Sequence, residues 1–242
     1  MNTKEIMKIR CFLTRNLVII QRQFISYAIK TIVKHDKNFI FYWQKIDRIK
    51  GWLSKDEAFF LYRIASAQSD QIAVEIGSYE GRSTTAIAAG RQGTVYAIDP
   101  HTGDRSEVEQ NFHIDTYAQF LLNTKEFKNI VGLRSKSLDA ARLYSDSAIG
   151  FLFIDGWHSE EAVDADINAW IAHCSNQFTC IFDDWEDSEV QNGIIKNLYR
   201  LPPFLGAVGK DLVFSNVSSV RKSILGLVLY LQKFDSKFHK FR

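Results

Sequence analysis

Three cysteines, three prolines and no long uncharged apolar run are the first constraints that these 242 residues impose. Cys11, Cys174 and Cys180 are odd in number, scattered and without a C-x-x-C pair, so neither a disulfide framework nor a zinc site is indicated. Cys174 and Cys180 fall on apolar faces and are expected to be buried thiols, and a reducing cytoplasm fits this usage. Arg10, Arg15, Arg22 and Lys30 break up the N-terminal apolar stretches, and Ser223 to Gln232 supplies only ten uncharged residues. No membrane span is therefore expected, and the unbroken apolar core of a signal peptide is missing as well. Internal repeats and low-complexity tracts are absent. So is the G-x-G-x-x-G of a dinucleotide site.

The formal charge of +2 hides an asymmetry. Residues 1–50 carry net +8, residues 217–242 net +5, and the stretch between them net −11. Basic ends on an acidic body point to packing on that body or contact with an anionic surface. Ile6, Ile9, Leu13, Leu17, Ile20, Phe24 and Ile32 form a helical stripe, expected to pack on the domain or on a second copy of it, ahead of peripheral membrane contact.

The most informative stretch is Ile72-Ala73-Val74-Glu75-Ile76-Gly77-Ser78-Tyr79-Glu80-Gly81-Arg82-Ser83. A β-branched apolar run that ends in a glycine turn and opens into a helix reads as a buried parallel strand and its crossover. Gly77 and Gly81 permit backbone conformations and close ligand approach that a Cβ would block. The helix from Arg82 directs free N–H groups toward the crevice. A carboxylate at Glu75 is a poor neighbour for pyrophosphate and a good one for a cationic amino group. The next strand, Thr94 to Asp99, ends in an acid placed to accept ribose hydroxyls.

From Gln71 onward strands and helices alternate. Strands are predicted at 71–77, 94–99, 130–134, 149–155 and 177–183, and helices at 82–90, 107–127, 137–145, 159–174 and 188–200. Pro202-Pro203 marks the end of the last crossover helix, and a hairpin follows around Gly209-Lys210-Asp211. Ser54 is the expected N-cap of a helix that precedes the alternation, with Asp56 and Glu57 in its first turn. This is the pattern of a doubly wound α/β domain with a mostly parallel sheet, a C-terminal antiparallel hairpin and an N-terminal helical extension. The expected parts are a basic helical extension at 1–50, the sheet domain at 51–216 and a basic amphipathic tail at 217–242.

Phe151 to Ile154 leads into Asp155-Gly156-Trp157-His158, and Thr179 to Phe182 leads into Asp183-Asp184-Trp185. Three carboxylates thus emerge from two adjacent strand ends, beside Glu75 and Asp99. Clustered acids repel unless protons or cations separate them, and all-oxygen ligation selects a hard ion such as Mg²⁺, Ca²⁺ or Mn²⁺. The plainer alternative is that Asp183 and Asp184 cap the helix near Ser188. His158 sits where a helix dipole favours a neutral imidazole, which suits a general base; its plainer role is a helix cap. Val163, Ile167, Trp170, Ile171 and Cys174 read as the buried stripe of the following helix, with Asp164 and Asp166 solvated on its outer face.

Val74 to Ser83, Ile98-Asp99, Phe153-Ile154-Asp155-Gly156-x-His158-Ser159 and Phe182-Asp183-Asp184-Trp185 together resemble a class I S-adenosylmethionine-dependent methyltransferase. More narrowly, the chain is similar to metal-dependent O-methyltransferases of the macrocin and aminocoumarin sugar type, and more distantly to catechol O-methyltransferase. The resemblance spans roughly residues 51–216. It implies a donor site made of Glu75, Gly77, Ser78, Tyr79, Gly81, Ser83, Asp99, Ser137, Asp155 and Trp157. Within it Asp99 takes the ribose and Ser137 lies near the adenine. The resemblance also implies Mg²⁺ on Asp155, Asp183 and Asp184, His158 as base, and a small hydroxylated acceptor, in some members a sugar. The sequence departs from the sugar-modifying pattern at Trp157, where many members have an acid.

Two other readings stay open at this level. One is a nicotinamide-dependent oxidoreductase, disfavoured by Glu75 and the missing second glycine. The other is a non-catalytic α/β module tethered by its basic ends. Nucleic acid is not expected as a partner, because the body is acidic and no Asn/Asp-Pro-Pro-aromatic motif follows the fourth strand. A homodimer is compatible with the apolar ends.

Overall fold

The computed structural model describes residues 22–102, 115–145 and 148–225. Its centre is a seven-stranded sheet: β1 (Ile72–Ile76), β2 (Val95–Asp99), β3 (Ile130–Arg134), β4 (Ile149–Ile154), β5 (Cys174–Phe182), β6 (Phe204–Val208) and β7 (Asp211–Ser215). The spatial order is β3-β2-β1-β4-β5-β7-β6. The first five strands pair in parallel and β7 runs antiparallel between β5 and β6. The helices are α1 (22–32), α2 (Lys37–Ile46), α3 (Lys55–Ser66), α4 (Arg82–Ala89), α5 (Tyr117–Thr124), α6 (Ser137–Leu143), α7 (Glu160–Trp170), α8 (Ser188–Lys196) and α9 (218–225).

Strand periodicity divides the core between the two faces. Ala73, Phe151, Phe153, Ile181 and Val213 pack against α1 to α4 and α9. Val74, Ile76, Ile98, Leu152, Ile154 and Phe182 pack against α6, α7 and α8. Every residue of β4 is buried, as a central strand covered on both sides requires. Truncating Phe151 or Phe153 to Ala would cost about 3–5 kcal/mol on this account.

The predicted strands and hairpin are all present. β5 starts earlier than expected, at Cys174, which therefore belongs to the sheet and not to the helix before it. That helix ends at Trp170 and continues as a 3-10 turn, Ile171–His173. Of the predicted helix 107–127 the structure describes the part from residue 115, where the helix runs only Tyr117–Thr124; residues 103–114 lie outside the described set.

The N-terminal stripe is displaced from its predicted register. Ile25, Ala28, Ile29 and Val33 are buried, while Phe24 is exposed and Ile32 only partly buried. The stripe from Ile6 to Ile20 and the tail beyond Leu225 lie outside the described residues, as does Cys11. What is described of both ends packs on the domain: Val217, Val220 and Ile224 join the same core as Ile25 and Ile29. Arg82 locks the extension in place, because its guanidinium donates to the carbonyls of Leu53 at 2.8 Å and Ile49 at 2.7 Å. Among the described residues no helix is long and apolar enough to cross a membrane.

Candidate active site

The strand register sets the site. Ile76 is level with Ile98 on one side and with Ile154 on the other, and Ile154 is level with Phe182. The residues that follow, Gly77, Asp99, Asp155 and Asp183, consequently emerge in one row at the carboxyl edge of the sheet, where open α/β sheets bind ligands. Among the described residues three non-glycines have positive φ: Tyr79 (45°), His101 (58°) and Asp184 (48°). All three lie at this edge. Each such residue carries strain of order 1 kcal/mol or more, and such strain gathers at functional sites.

Glu75 and the turn after it form one half. Glu75 is 0 % exposed, and its Oε2 accepts from the Thr84 hydroxyl of α4. Burial pushes its carboxyl up to about 7, against the opposing pull of the Ser83 and Thr84 hydroxyls. Glu75 Oε1 and the buried Ser78 hydroxyl have no hydrogen-bond partner among the described residues. Two unsatisfied buried polar atoms beside a glycine turn suit a polar ligand. Gly77 has φ +86° and Gly81 φ +92°. The close approaches they permit come from the protein: a Cβ on Gly77 would meet the Asp155 carbonyl, and one on Gly81 would meet Thr124 and Phe120 of α5. Asp99 accepts the backbone N–H groups of Tyr79 at 2.8 Å and His101 at 2.5 Å, so the ends of β1 and β2 are tied together through it.

The other half gathers around Asp155. The His158 Nε2 lies 3.8 Å from Asp155 Oδ1 and 3.5 Å from Asp184 Oδ2, and all three side chains are partly open to the cleft. The plainer roles considered for these residues are filled by others. Ser159 caps α7 by accepting from the Ala162 N–H, and Asp187 caps α8 by accepting from the Glu189 N–H. Burial first, then Asp183 and Asp184, push the Asp155 carboxyl well above the ordinary range.

Sequence reasoning missed the cation at the centre of this cluster. Lys210, at the turn between β6 and β7, places Nζ 2.8 Å from Asp184 Oδ1 and 3.4 Å from Asp183 Oδ2. Burial lowers its pKa, but the surrounding acids more than offset this and the net shift is upward. Its backbone N–H donates to Glu57 Oε1 at 2.9 Å, while Glu57 Oε2 closes the capping box of α3 with the Ser54 N–H. The helix start read from Ser54 and Glu57 is thus also the brace of the hairpin turn. The Gly209-Lys210-Asp211 turn was the available signal, but its pairing across 26 residues with Asp184 is tertiary.

Asp155, His158 and Asp184 present ligand atoms within 4.8 Å of one another, a spacing that a divalent ion fits. Asp183, expected in that set, is buried and turned toward Lys210. Ser137 also has a neighbour not foreseen: its hydroxyl donates to Asp166 Oδ1 and accepts from Trp170 Nε1. Asp166 is therefore buried, not solvated on the outer face, and burial pushes its carboxyl up to about 6. Trp157 is exposed at the mouth of the cleft.

Residues 74–185 match the family described as a methyltransferase domain. Among solved structures, the chain is similar to a putative O-methyltransferase from Klebsiella pneumoniae at 15 % identity, with 83 % of this chain and 99 % of that one covered and a TM-score of 0.55. It is similar to an O-methyltransferase from Bacillus cereus solved with SAH at 17 % identity, covering 76 % and 91 %, with a TM-score of 0.53. The O-methyltransferase NovP aligns at 10 % identity over 68 % and 82 %, with a TM-score of 0.52. These likenesses establish a shared Rossmann-like methyltransferase fold.

Proposed function

We propose, from the methyltransferase domain that residues 74–185 form, that this chain transfers a methyl group from S-adenosylmethionine to a hydroxyl of a small molecule. The observation that carries the reading is the junction of two half-sites. The Gly77 turn, with Glu75 and Asp99 around it, touches the Asp155 loop that carries His158. A donor held on one side faces a base and an acceptor on the other.

S-adenosylmethionine supplies an electrophilic methyl on a sulfonium; the rest is asked of the chain. Glu75 Oε1, buried and without a partner among the described residues, suits the donor's cationic amino group, and the Ser78 hydroxyl suits its polar end. The free lone pairs of Asp99 suit the ribose hydroxyls. His158 takes the acceptor's proton, held between Asp155 and Asp184, which stabilise the imidazolium that forms. Lys210 offsets one of the two negative charges of Asp183 and Asp184, which lessens their repulsion of the deprotonated oxygen.

A divalent ion also fits Asp155, His158 and Asp184, and there it would supply Lewis acidity to an acceptor hydroxyl. The imidazole in this set shifts the preference from Mg²⁺ toward Mn²⁺ or a later metal. The ion would occupy the same Nε2 lone pair that the base needs. A metal-bound His158 and a proton-accepting His158 are therefore exclusive roles, and sensitivity to EDTA separates them.

The test is calorimetry of the full chain with S-adenosylhomocysteine and, separately, NAD, followed by incubation of radiolabelled S-adenosylmethionine with a small-molecule extract. Binding of the former, no binding of NAD, and label in an alkali-stable ether are expected. Tight NAD binding without a response to S-adenosylhomocysteine would sink the reading. A purely structural module would bind neither.

A further inference from the structure

Ser137 and Asp166 form a pair for which the methyl-transfer chemistry has so far no use. β3 ends at Arg134, level with Asp99, and the next residue, Ser135, donates its N–H to the Asp99 carbonyl at 3.1 Å. Ser137, which opens α6 two residues later, therefore stands at the same carboxyl edge as the rest of the site. Behind it lies Asp166 of α7, only 6 % exposed. One carboxylate oxygen accepts from the Ser137 hydroxyl, and the other lies 3.4 Å from where a Cβ on Gly156 would stand. Trp170, one turn further along α7 and fully buried, donates from Nε1 to the same hydroxyl oxygen at 2.8 Å.

These two partners fix what Ser137 can still do. A serine hydroxyl has one proton and two lone pairs. The ionised carboxylate only accepts, so it takes the proton; the indole only donates, so it takes one lone pair. Among the described residues that leaves one lone pair. Both partners are buried and Ser137 is half-buried, so this lone pair faces away from α7, on the open side. A polar group that meets Ser137 there has to donate.

Strand order says which part of the donor arrives. The sheet runs β3-β2-β1, with Glu75 in β1 and Asp99 at the end of β2. The methyl-transfer reading, on which this inference rests, puts the donor's amino group at Glu75 and its ribose at Asp99. A donor laid along that edge carries its base onward to Ser135 and Ser137. We propose that Asp166, a positioning residue acting through Ser137, makes this site select adenine by its 6-amino group. The amine donates to the remaining lone pair of Ser137. A 6-carbonyl in the same place would set two acceptors face to face with no proton between them.

The experiment is calorimetry of the full chain at pH 8, where Asp166, pushed up by burial to about 6, is ionised. The titrants are S-adenosylhomocysteine and S-inosylhomocysteine, which carries a 6-carbonyl in place of the amine. Wild type should bind the inosyl compound at least tenfold more weakly. In Asp166→Leu the hydroxyl is free to turn its proton outward. The inosyl compound should then bind several-fold more tightly than it does to wild type, while the adenosyl compound binds no better. A gain of affinity is not what the loss of a contact between helices produces. Ser137→Ala removes the selecting atom itself and should bring the two affinities together, which keeps the test open if Asp166→Leu fails to fold. Melting curves check the folding of both variants. The proposal is overturned if wild type binds the two compounds equally, or if the preference survives in Ser137→Ala or in folded Asp166→Leu. Adenosyl binding without discrimination removes this inference alone. Wild type that binds neither compound removes the donor reading as well.

Discussion

The Cα of Gly77 sits so close to the carbonyl of Asp155 that a Cβ built on it would lie 1.9 Å from that oxygen and 2.9 Å from the Cα of Gly156. The Asp155 N–H in turn donates to the Ile76 carbonyl at 2.9 Å. The turn that would face the donor and the loop that carries the acid–histidine cluster are therefore one packed unit. A change on one side is transmitted to the other.

Gly77→Ala should consequently damage both halves. The new methyl meets backbone, which cannot rotate away, and the position has φ +86°. A loss of about 2–4 kcal/mol in stability is expected from collision and strain together. Denaturant unfolding measures the stability, and calorimetry should show that S-adenosylhomocysteine binding is lost in whatever folds. A variant as stable as wild type would contradict the contact.

Glu75 gives a pH-dependent stability. Its carboxyl titrates near 7 in the fold against 4.5 as the ordinary value. The folded state therefore holds the proton more tightly. Burial costs little below pH 4.5, and the fold loses up to about 3 kcal/mol as pH rises through 7. Glu75→Gln removes that loss while keeping the shape. Its melting temperature relative to wild type should climb between pH 5 and pH 8, while affinity for S-adenosylhomocysteine falls. A difference that does not change with pH would refute the assignment. With wild type, donor-product binding at pH 7 should also release protons, seen as a binding enthalpy that varies with the buffer's ionisation enthalpy.

Much of this was legible in the sequence, for identifiable reasons. β4 shows as Ile149 to Ile154 because a strand buried on both faces must be continuously apolar, and the acids that follow each strand are placed by chain position alone. Ser54 and Glu57 announced their helix because capping is local. What escaped was whatever depends on pairing between distant segments. Asp166 is polar and reads as solvated in the sequence, yet Ser137 from α6 and the packing of Trp170 hold it inside. The register of α1 slipped because its buried side includes Ala28, which a stripe of large residues passes over. Strand order groups Asp183 with Asp155 and Asp184, whereas in the fold Asp183 is buried and His158 stands with the other two.

Lys210 should therefore matter as a counter-charge. Lys210→Gln leaves Asp183 and Asp184 without their cation, raising the demand for another one. Mn²⁺ affinity, measured by calorimetry, should rise tenfold or more, and stability in EDTA should fall. If the variant binds Mn²⁺ no better than wild type, the ammonium is not what balances these acids. Affinity for S-adenosylhomocysteine should be nearly unchanged, because the proposed donor contacts are Glu75, Ser78 and Asp99.

His158 carries the chemical step in this account, and its replacement separates binding from chemistry. The side chain is partly exposed, caps no helix and packs in neither core, so His158→Ala should fold with little loss of stability. Donor-product affinity should be unaltered, since the imidazole lies on the Asp155–Asp184 side of the site. On the acceptor found by labelling, kcat should fall by about 10²–10⁴, the usual share of a general base. Added imidazole should restore part of that rate in the variant and leave wild type unaffected, because the vacated space beside Asp155 and Asp184 can seat a free base. A ligand role for His158 gives a different outcome. The wild-type rate would collapse in EDTA and return with Mn²⁺, and imidazole would not rescue the variant. An unchanged kcat in His158→Ala would remove it from the reaction altogether, leaving Asp155 or Asp184 to take the proton.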